Sequence, residues 1–251
     1  MLNAVEMGEG EVPLLIVHGL FGSARNWRVL QKRLAESRRV IAVDLRNHGS
    51  SFWDDDNSYE ALAADLAAVI EAHGGVADVL GHSMGGKAAM ALALARPEML
   101  RRLIVADIAP VAYGHTQAGY IAAMQAVDMS VVTRRSDADK QLAATVAEAS
   151  LRAFFVQSIE LGDAGARWVL NLAALAVEMP KIMGFPQFES VFDGPVLMLS
   201  GACSDYVTPE RRPDILRLFP QAEFEAIEGA GHWLHAEKPR EFQAAVEAFL
   251  G

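Results

Sequence analysis

Four short apolar runs, Leu14–Val17, Val40–Val43, Val76–Leu80 and Leu103–Ala106, alternate with segments whose apolar residues recur at helical spacing. Runs of this kind lack the in–out alternation of a strand with one wet face, so they predict strands buried on both sides, as in a parallel sheet. Between them, Trp27–Ala35, Tyr59–Ala72 and Ser83–Arg96 read as helices. Leu62, Leu66, Val69 and Ile70 share one face of the second, and Pro97 ends the third. The alternation predicts an α/β fold, a mostly parallel sheet with helices on both faces.

The pattern stops at about Val111. From there to Gly184 no strand is expected, and Tyr120–Val127, Asp139–Phe155 and Ala164–Met179 read as helices. The core pattern returns with a strand at Val196–Leu199, a helix near Pro209–Phe219, a strand at Ala222–Ile227 and a last helix at Pro239–Leu250. The expected organisation is an α/β core made of 1–110 and 185–251, with 111–184 as a helical lid. The lid is expected to leave and re-enter at the carboxyl ends of strands, where open α/β sheets bind ligands.

Gly81-His82-Ser83-Met84-Gly85 fits G-x-S-x-G, and it sits where that pattern has meaning, between an apolar strand and a helix. A serine on such a turn takes unfavourable backbone angles that lift its hydroxyl above the sheet, and the glycines admit neighbouring backbone. Ser83 is therefore the candidate nucleophile. A serine hydroxyl needs a base at neutral pH. His232, in Gly229-Ala230-Gly231-His232-Trp233, follows the last strand and reaches the same sheet edge. His235 is the nearest rival, with a solvated or helix-capping role expected, and His82 is expected to point away from Ser83. The base in turn needs a carboxylate to hold its tautomer. Asp107 and Asp205 both qualify. Asp107 ends its strand directly and is favoured; Asp205 lies one residue beyond the G-x-x-D position of the later loop, which Ser204 occupies here.

The developing oxyanion requires preorganised N–H donors. Met84, next after the nucleophile, is one candidate. The loop His18-Gly19-Leu20-Phe21-Gly22 offers the other, with Leu20 first and Phe21 second. Phe21, Trp168, Tyr206 and Trp233 are candidate pocket walls. The charged turn Asp44-Leu45-Arg46-Asn47-His48-Gly49 is expected to be a structural turn with a buried hydrogen-bond network.

Other classes fit poorly. No paired-cysteine or H-E-x-x-H spacing suggests a metal, and no phosphate loop or dinucleotide fingerprint suggests a cofactor, so none is expected. A formal net charge of −10 repels a polyanion, which argues against nucleic acid. With 52% hydrophobic residues the 251-residue chain can build a sizeable core, yet no apolar stretch reaches the length of a membrane span. A single cysteine, Cys203, and no basic-then-apolar start fit a soluble, cytoplasmic protein acting on a small molecule. Nothing in the residues sets an oligomeric state.

With these residues placed, the chain resembles the α/β-hydrolase superfamily and, within it, the small YbfF-like serine esterases. The resemblance rests on His18-Gly19-Leu20-Phe21-Gly22-Ser23, Asp44-Leu45-Arg46-Asn47-His48-Gly49, Gly81-His82-Ser83-Met84-Gly85-Gly86-Lys87, Asp107-Ile108-Ala109-Pro110 and Gly229-Ala230-Gly231-His232-Trp233. It implies hydrolysis of short to medium acyl esters, with acyl thioesters, including acyl-coenzyme A, as a further class. It also implies that Asp107 completes the triad and makes Asp205 a departure. Carbon–carbon bond hydrolysis, lactone opening and acyl transfer would use the same residues and stay open. A non-catalytic receptor on this fold has no need of an intact Ser83 and His232. Haloalkane dehalogenases and epoxide hydrolases need a carboxylate where Ser83 stands.

Overall fold

The computed structural model describes residues 1–251. In chain order the strands are β1 (Ala4–Met7), β2 (Leu14–Val17), β3 (Val40–Val43), β4 (Ala77–His82), β5 (Leu100–Ala106), β6 (Ile159–Gly162), β7 (Gly165–Trp168), β8 (Val196–Gly201) and β9 (Ala222–Ile227). The α-helices are α1 (Arg28–Leu34), α2 (Tyr59–Ala72), α3 (Met84–Ala95), α4 (Ala118–Gln125), α5 (Arg135–Leu142), α6 (Ala149–Phe155), α7 (Leu172–Met183), α8 (Arg212–Leu218), α9 (Leu234–Glu237) and α10 (Pro239–Leu250). One sheet runs β1-β3-β2-β4-β5-β8-β9; β1 is antiparallel to β3, and every other neighbouring pair is parallel.

Successive strand residues feed opposite faces of this sheet. Leu15 and Val17 of β2 with Ile41 and Val43 of β3 join a core completed by α2 and α3. Leu14, Ile16, Val40 and Ala42 join the other, completed by Trp27, Leu34 of α1 and Phe242 of α10. Phe242 and Leu34 are fully buried, and burial of a side chain of this kind stabilises by about 1.5–3 kcal/mol. Both faces are covered, which is why these strands read as unbroken apolar runs. No helix is long and apolar enough to cross a membrane.

Departures from the expected elements cluster between β5 and β8. Asp139–Phe155 is two helices, α5 and α6. The carbonyls of Val146 and Ala147 at the break accept from the Arg152 guanidinium, at 2.8 Å each. A side chain thus satisfies the backbone where the helix stops. The expected helix Ala164–Met179 begins as a hairpin instead. Gly162-Asp163-Ala164-Gly165 is turn chemistry, with Gly165 at φ +102°, and β6 pairs antiparallel with β7. Helix α7 starts only where Asn171 caps it, its side chain accepting from the Ala174 amide at 3.3 Å. The insert leaves at the carboxyl end of β5 but returns to the amino end of β8, because β8 lies parallel to β5. The expected re-entry at a carboxyl end is thereby corrected. Strand β1, short and on the sheet edge, had no apolar run to announce it.

Candidate active site

The carboxyl ends of β2, β4, β5 and β9 converge on one cavity. Ser83 ends the turn after β4 at φ 52°, ψ −120°. Its neighbours are glycines for a steric reason: a side chain at Gly85 would strike the carbonyls of Val17 and His18, and one at Gly19 would lie 2.9 Å from His82 Nδ1 and 3.2 Å from Ser83 Cβ. Asp107 ends β5, also at positive φ (53°), and has no exposed surface. His232 follows β9. Its Nε2 lies 3.1 Å from Ser83 Oγ, and its Nδ1 lies 2.7 Å from Asp107 Oδ2.

Asp107 is well anchored. Its Oδ1 accepts from the Gly201 amide at 3.1 Å, and its Oδ2 accepts from Ser204 Oγ at 2.5 Å as well as facing His232. The later loop therefore contributes a hydroxyl to the carboxylate rather than a carboxylate of its own. Asp205 is exposed, its side chain without a hydrogen-bond partner, while its carbonyl accepts from Arg211. The charge-assisted bonds on Asp107 fix the carboxylate so that it accepts from Nδ1–H, which leaves the Nε2 lone pair facing the serine.

The amides of Leu20 and Met84 carry no intramolecular hydrogen bond, whereas the amide of Phe21 donates to His48 Nε2 at 3.2 Å. Phe21, expected as a second-choice oxyanion donor, is thus already engaged. Leu20 and Met84 remain as the pair with donors to spare.

The cavity has about 840 Å³ of open space, mouth included. Of the expected walls, Phe21, Tyr206 and Trp233 line it, and the Tyr206 ring stacks on His232 at 4.1 Å. Trp168 does not line it. Its indole N–H donates to the Met124 carbonyl at 3.0 Å and holds the hairpin within the insert. Insert residues missed by sequence reading, Tyr120, Leu151, Phe154 and Phe155, supply much of the apolar lining. They belong to α4 and α6, and their i, i+3 and i, i+4 spacing looks like ordinary core.

Two further histidines sit beneath His232. His82 makes no hydrogen bond to Ser83, and its Nε2–H donates to the His232 carbonyl at 2.9 Å. The sequence predicts a solvated or capping His235. Instead it stacks on Trp27 at 4.3 Å with Nδ1 buried and unpartnered. Burial pushes the His82 pKa well down and that of His235 to about 3. Lys87, one turn along α3 from Ser83, is nearly fully buried. Its Nζ donates to the carbonyls of Met183 (3.0 Å) and Gly184 (2.6 Å) at the end of α7, and burial lowers its pKa to about 7.

Residues 14–245 match the alpha/beta hydrolase family. The chain belongs to that family. Among relatives of this hydrolase is the mouse (Mus musculus) "sn-1-specific diacylglycerol lipase ABHD11", 45% identical over 97% of this chain and 82% of the relative. Another is "Esterase YbfF" of Escherichia coli strain K12, 38% identical over 95% of this chain and 92% of the relative. Among solved structures, a "Marine microorganism esterase" superposes with a TM-score of 0.95 at 37% identity, covering 99% of this chain and 98% of that one.

Proposed function

We propose that this hydrolase is a serine esterase in which Ser83 is the nucleophile, His232 the general base and Asp107 the acid. The observation that carries the reading is the hydrogen-bonded series Ser83 Oγ, His232 Nε2, His232 Nδ1 and Asp107 Oδ2, beside the two unengaged amides of Leu20 and Met84. In this reading Ser83 Oγ attacks the acyl carbonyl as its proton passes to His232 Nε2, and the oxyanion gathers the Leu20 and Met84 amides. His232 then returns the proton to the departing alcohol or thiol. Water, deprotonated by the same nitrogen, releases the acid from the acyl-serine. Asp107 stays ionised and stabilises the imidazolium.

The names of the relatives, an esterase and a diacylglycerol lipase, support esters as the substrate class. The apolar cavity supports short to medium acyl chains, with thioesters as a second class. Residues 111–184 serve as the cap in this proposal, since α4 and α6 furnish the acyl-facing wall. A cytoplasmic setting suits the exposed free thiol of Cys203. A panel of acyl esters, acyl thioesters and diketones tests the reading. Ester turnover that disappears in Ser83→Ala is expected. Turnover of diketones alone, or ester turnover retained in Ser83→Ala, overturns it.

A further inference from the structure

Four non-glycine residues have positive φ: Phe21 (64°), Asn47 (66°), Ser83 (52°) and Asp107 (53°). Such angles cost energy and persist only where surrounding contacts over-determine them. Ser83 and Asp107 belong to the proposed chemistry. Phe21 and Asn47 do not, yet they are joined through His48.

Phe21 is clamped at both its amide and its carbonyl. Its N–H donates to His48 Nε2 at 3.2 Å, and its carbonyl accepts from Ser158 Oγ, an insert residue, at 3.0 Å. Its ring meets that of Phe155, also in the insert, edge-on at 5.5 Å. His48 is fully buried and keeps one tautomer, because Nδ1–H donates to the Arg46 carbonyl at 2.8 Å and leaves Nε2 as an acceptor. Burial and the adjacent His18 keep the ring neutral, its pKa lowered to about 3. The backbone around His48 is tied to the insert in turn. His48 bridges to Leu170, the Asn47 carbonyl accepts from the Asn171 amide at 3.0 Å, and Asn47 Oδ1 accepts from Asn171 Nδ2 at 3.0 Å.

The peptide held this way immediately follows Leu20. With the Phe21 N–H turned toward His48, the preceding amide is left without an internal acceptor. We infer that His48 and Ser158 are positioning residues for the oxyanion loop, which makes the donor at Leu20 dependent on the docked insert. Neither residue touches the acyl carbonyl. They act by holding Phe21 at the positive φ of a turn that the loop itself closes by only one hydrogen bond, from the Gly22 N–H to the Gly19 carbonyl at 3.0 Å. This inference rests on the proposed acyl chemistry at Ser83.

The test compares wild type with His48→Leu, His48→Gln and Ser158→Ala. Each is assayed for kcat and KM on a short acyl ester and for the Ki of a trifluoromethyl ketone, whose tetrahedral adduct needs the oxyanion donors. Loss of one oxyanion donor costs about 10²–10³ in kcat in other hydrolases, so a misplaced one is expected to cost about tenfold to a hundredfold. His48→Leu should lose that in kcat with KM within about twofold, and the ketone Ki should rise in parallel. His48→Gln, which restores an acceptor, should recover most of the loss. Ser158→Ala, a mild change, should move kcat and Ki the same way by a few-fold. His48→Leu and Ser158→Ala with unchanged kcat and Ki overturn the inference, as does a loss that His48→Gln fails to recover while Ser158→Ala has no effect. A wild-type enzyme whose ester turnover survives Ser83→Ala would instead overturn the underlying proposal, so the two failures are distinguishable.

Discussion

The two halves of the site are held by different means. In the proposed mechanism the acid–base half rides on the sheet: Ser83, Asp107 and His232 each follow a parallel strand, and strand register sets their separations. The proposed oxyanion half is a loop whose positive-φ residue, Phe21, is held by the Gly22-to-Gly19 turn bond, by His48 and by Ser158 of the insert. A sheet built from buried apolar strands is rigid at its ends. A loop held by a few polar contacts, one of them from an added segment, loses part of its support when that segment undocks. Acid–base chemistry should therefore tolerate change in the insert better than oxyanion stabilisation does.

The largest expected effect probes the sheet-held half. Asp107→Asn should lower kcat by about 10³–10⁴ through loss of the correct imidazole tautomer, whereas Asp205→Asn should stay within about twofold. Steady-state assays on one ester decide it, and the reverse ranking would move the acid to the later loop.

Next comes the attachment of the insert to α3. Lys87→Met leaves the Met183 and Gly184 carbonyls without their donor, a cost of about 1–3 kcal/mol per buried group. The effect should depend on pH. The folded lysine has a pKa of about 7 against an ordinary 10.5, so between these values the unfolded chain holds more protons and stability rises with pH. The variant lacks that rise, and urea titrations should show the gap from wild type widening from pH 7 to pH 9. A gap independent of pH would contradict the burial of a titrating amine there.

Ser204→Ala removes one hydrogen bond from the Asp107 carboxylate and should lower kcat by about tenfold. An unchanged kcat would mean that the Gly201 amide anchors the carboxylate alone. The smallest effect is expected at His235. Phenylalanine keeps the stack on Trp27 and removes the unpartnered Nδ1. The folded imidazole has a pKa of about 3 against an ordinary 6.5, so its share of stability is complete above pH 6.5 and lost as pH falls toward 3. His235→Phe should therefore gain in Tm over wild type as pH falls from 7 to 5, with little change in kcat. A Tm difference that stays constant over that range would count against a buried neutral ring.

The same division explains what could be read from the sequence. Val40–Val43 and Leu14–Val17 announce themselves because burial on both faces leaves no polar position. The proposed nucleophile Ser83 is legible because a local strand–turn–helix pattern surrounds it, and the proposed acid Asp107 because it ends its strand. The supports inferred for the oxyanion loop are not legible. Ser158 lies 137 positions from Phe21, and His48 lies in a turn that reads as structural, with a buried hydrogen-bond network. The hairpin β6–β7 was hidden by apolar residues that fit helical spacing, although Gly162 and Gly165 carried the turn signal. Residue type alone suggests Trp168 as a pocket wall, and nothing nearby in the sequence marks its partner, the Met124 carbonyl.

The proposed mechanism makes Ser83 a nucleophile activated by His232. Mass spectrometry of the protein after exposure to a fluorophosphonate tests it most directly. A single phosphonyl adduct on Ser83, formed at a rate that collapses in His232→Ala, is predicted. An adduct on another residue, or a labelling rate indifferent to His232→Ala, would contradict the account.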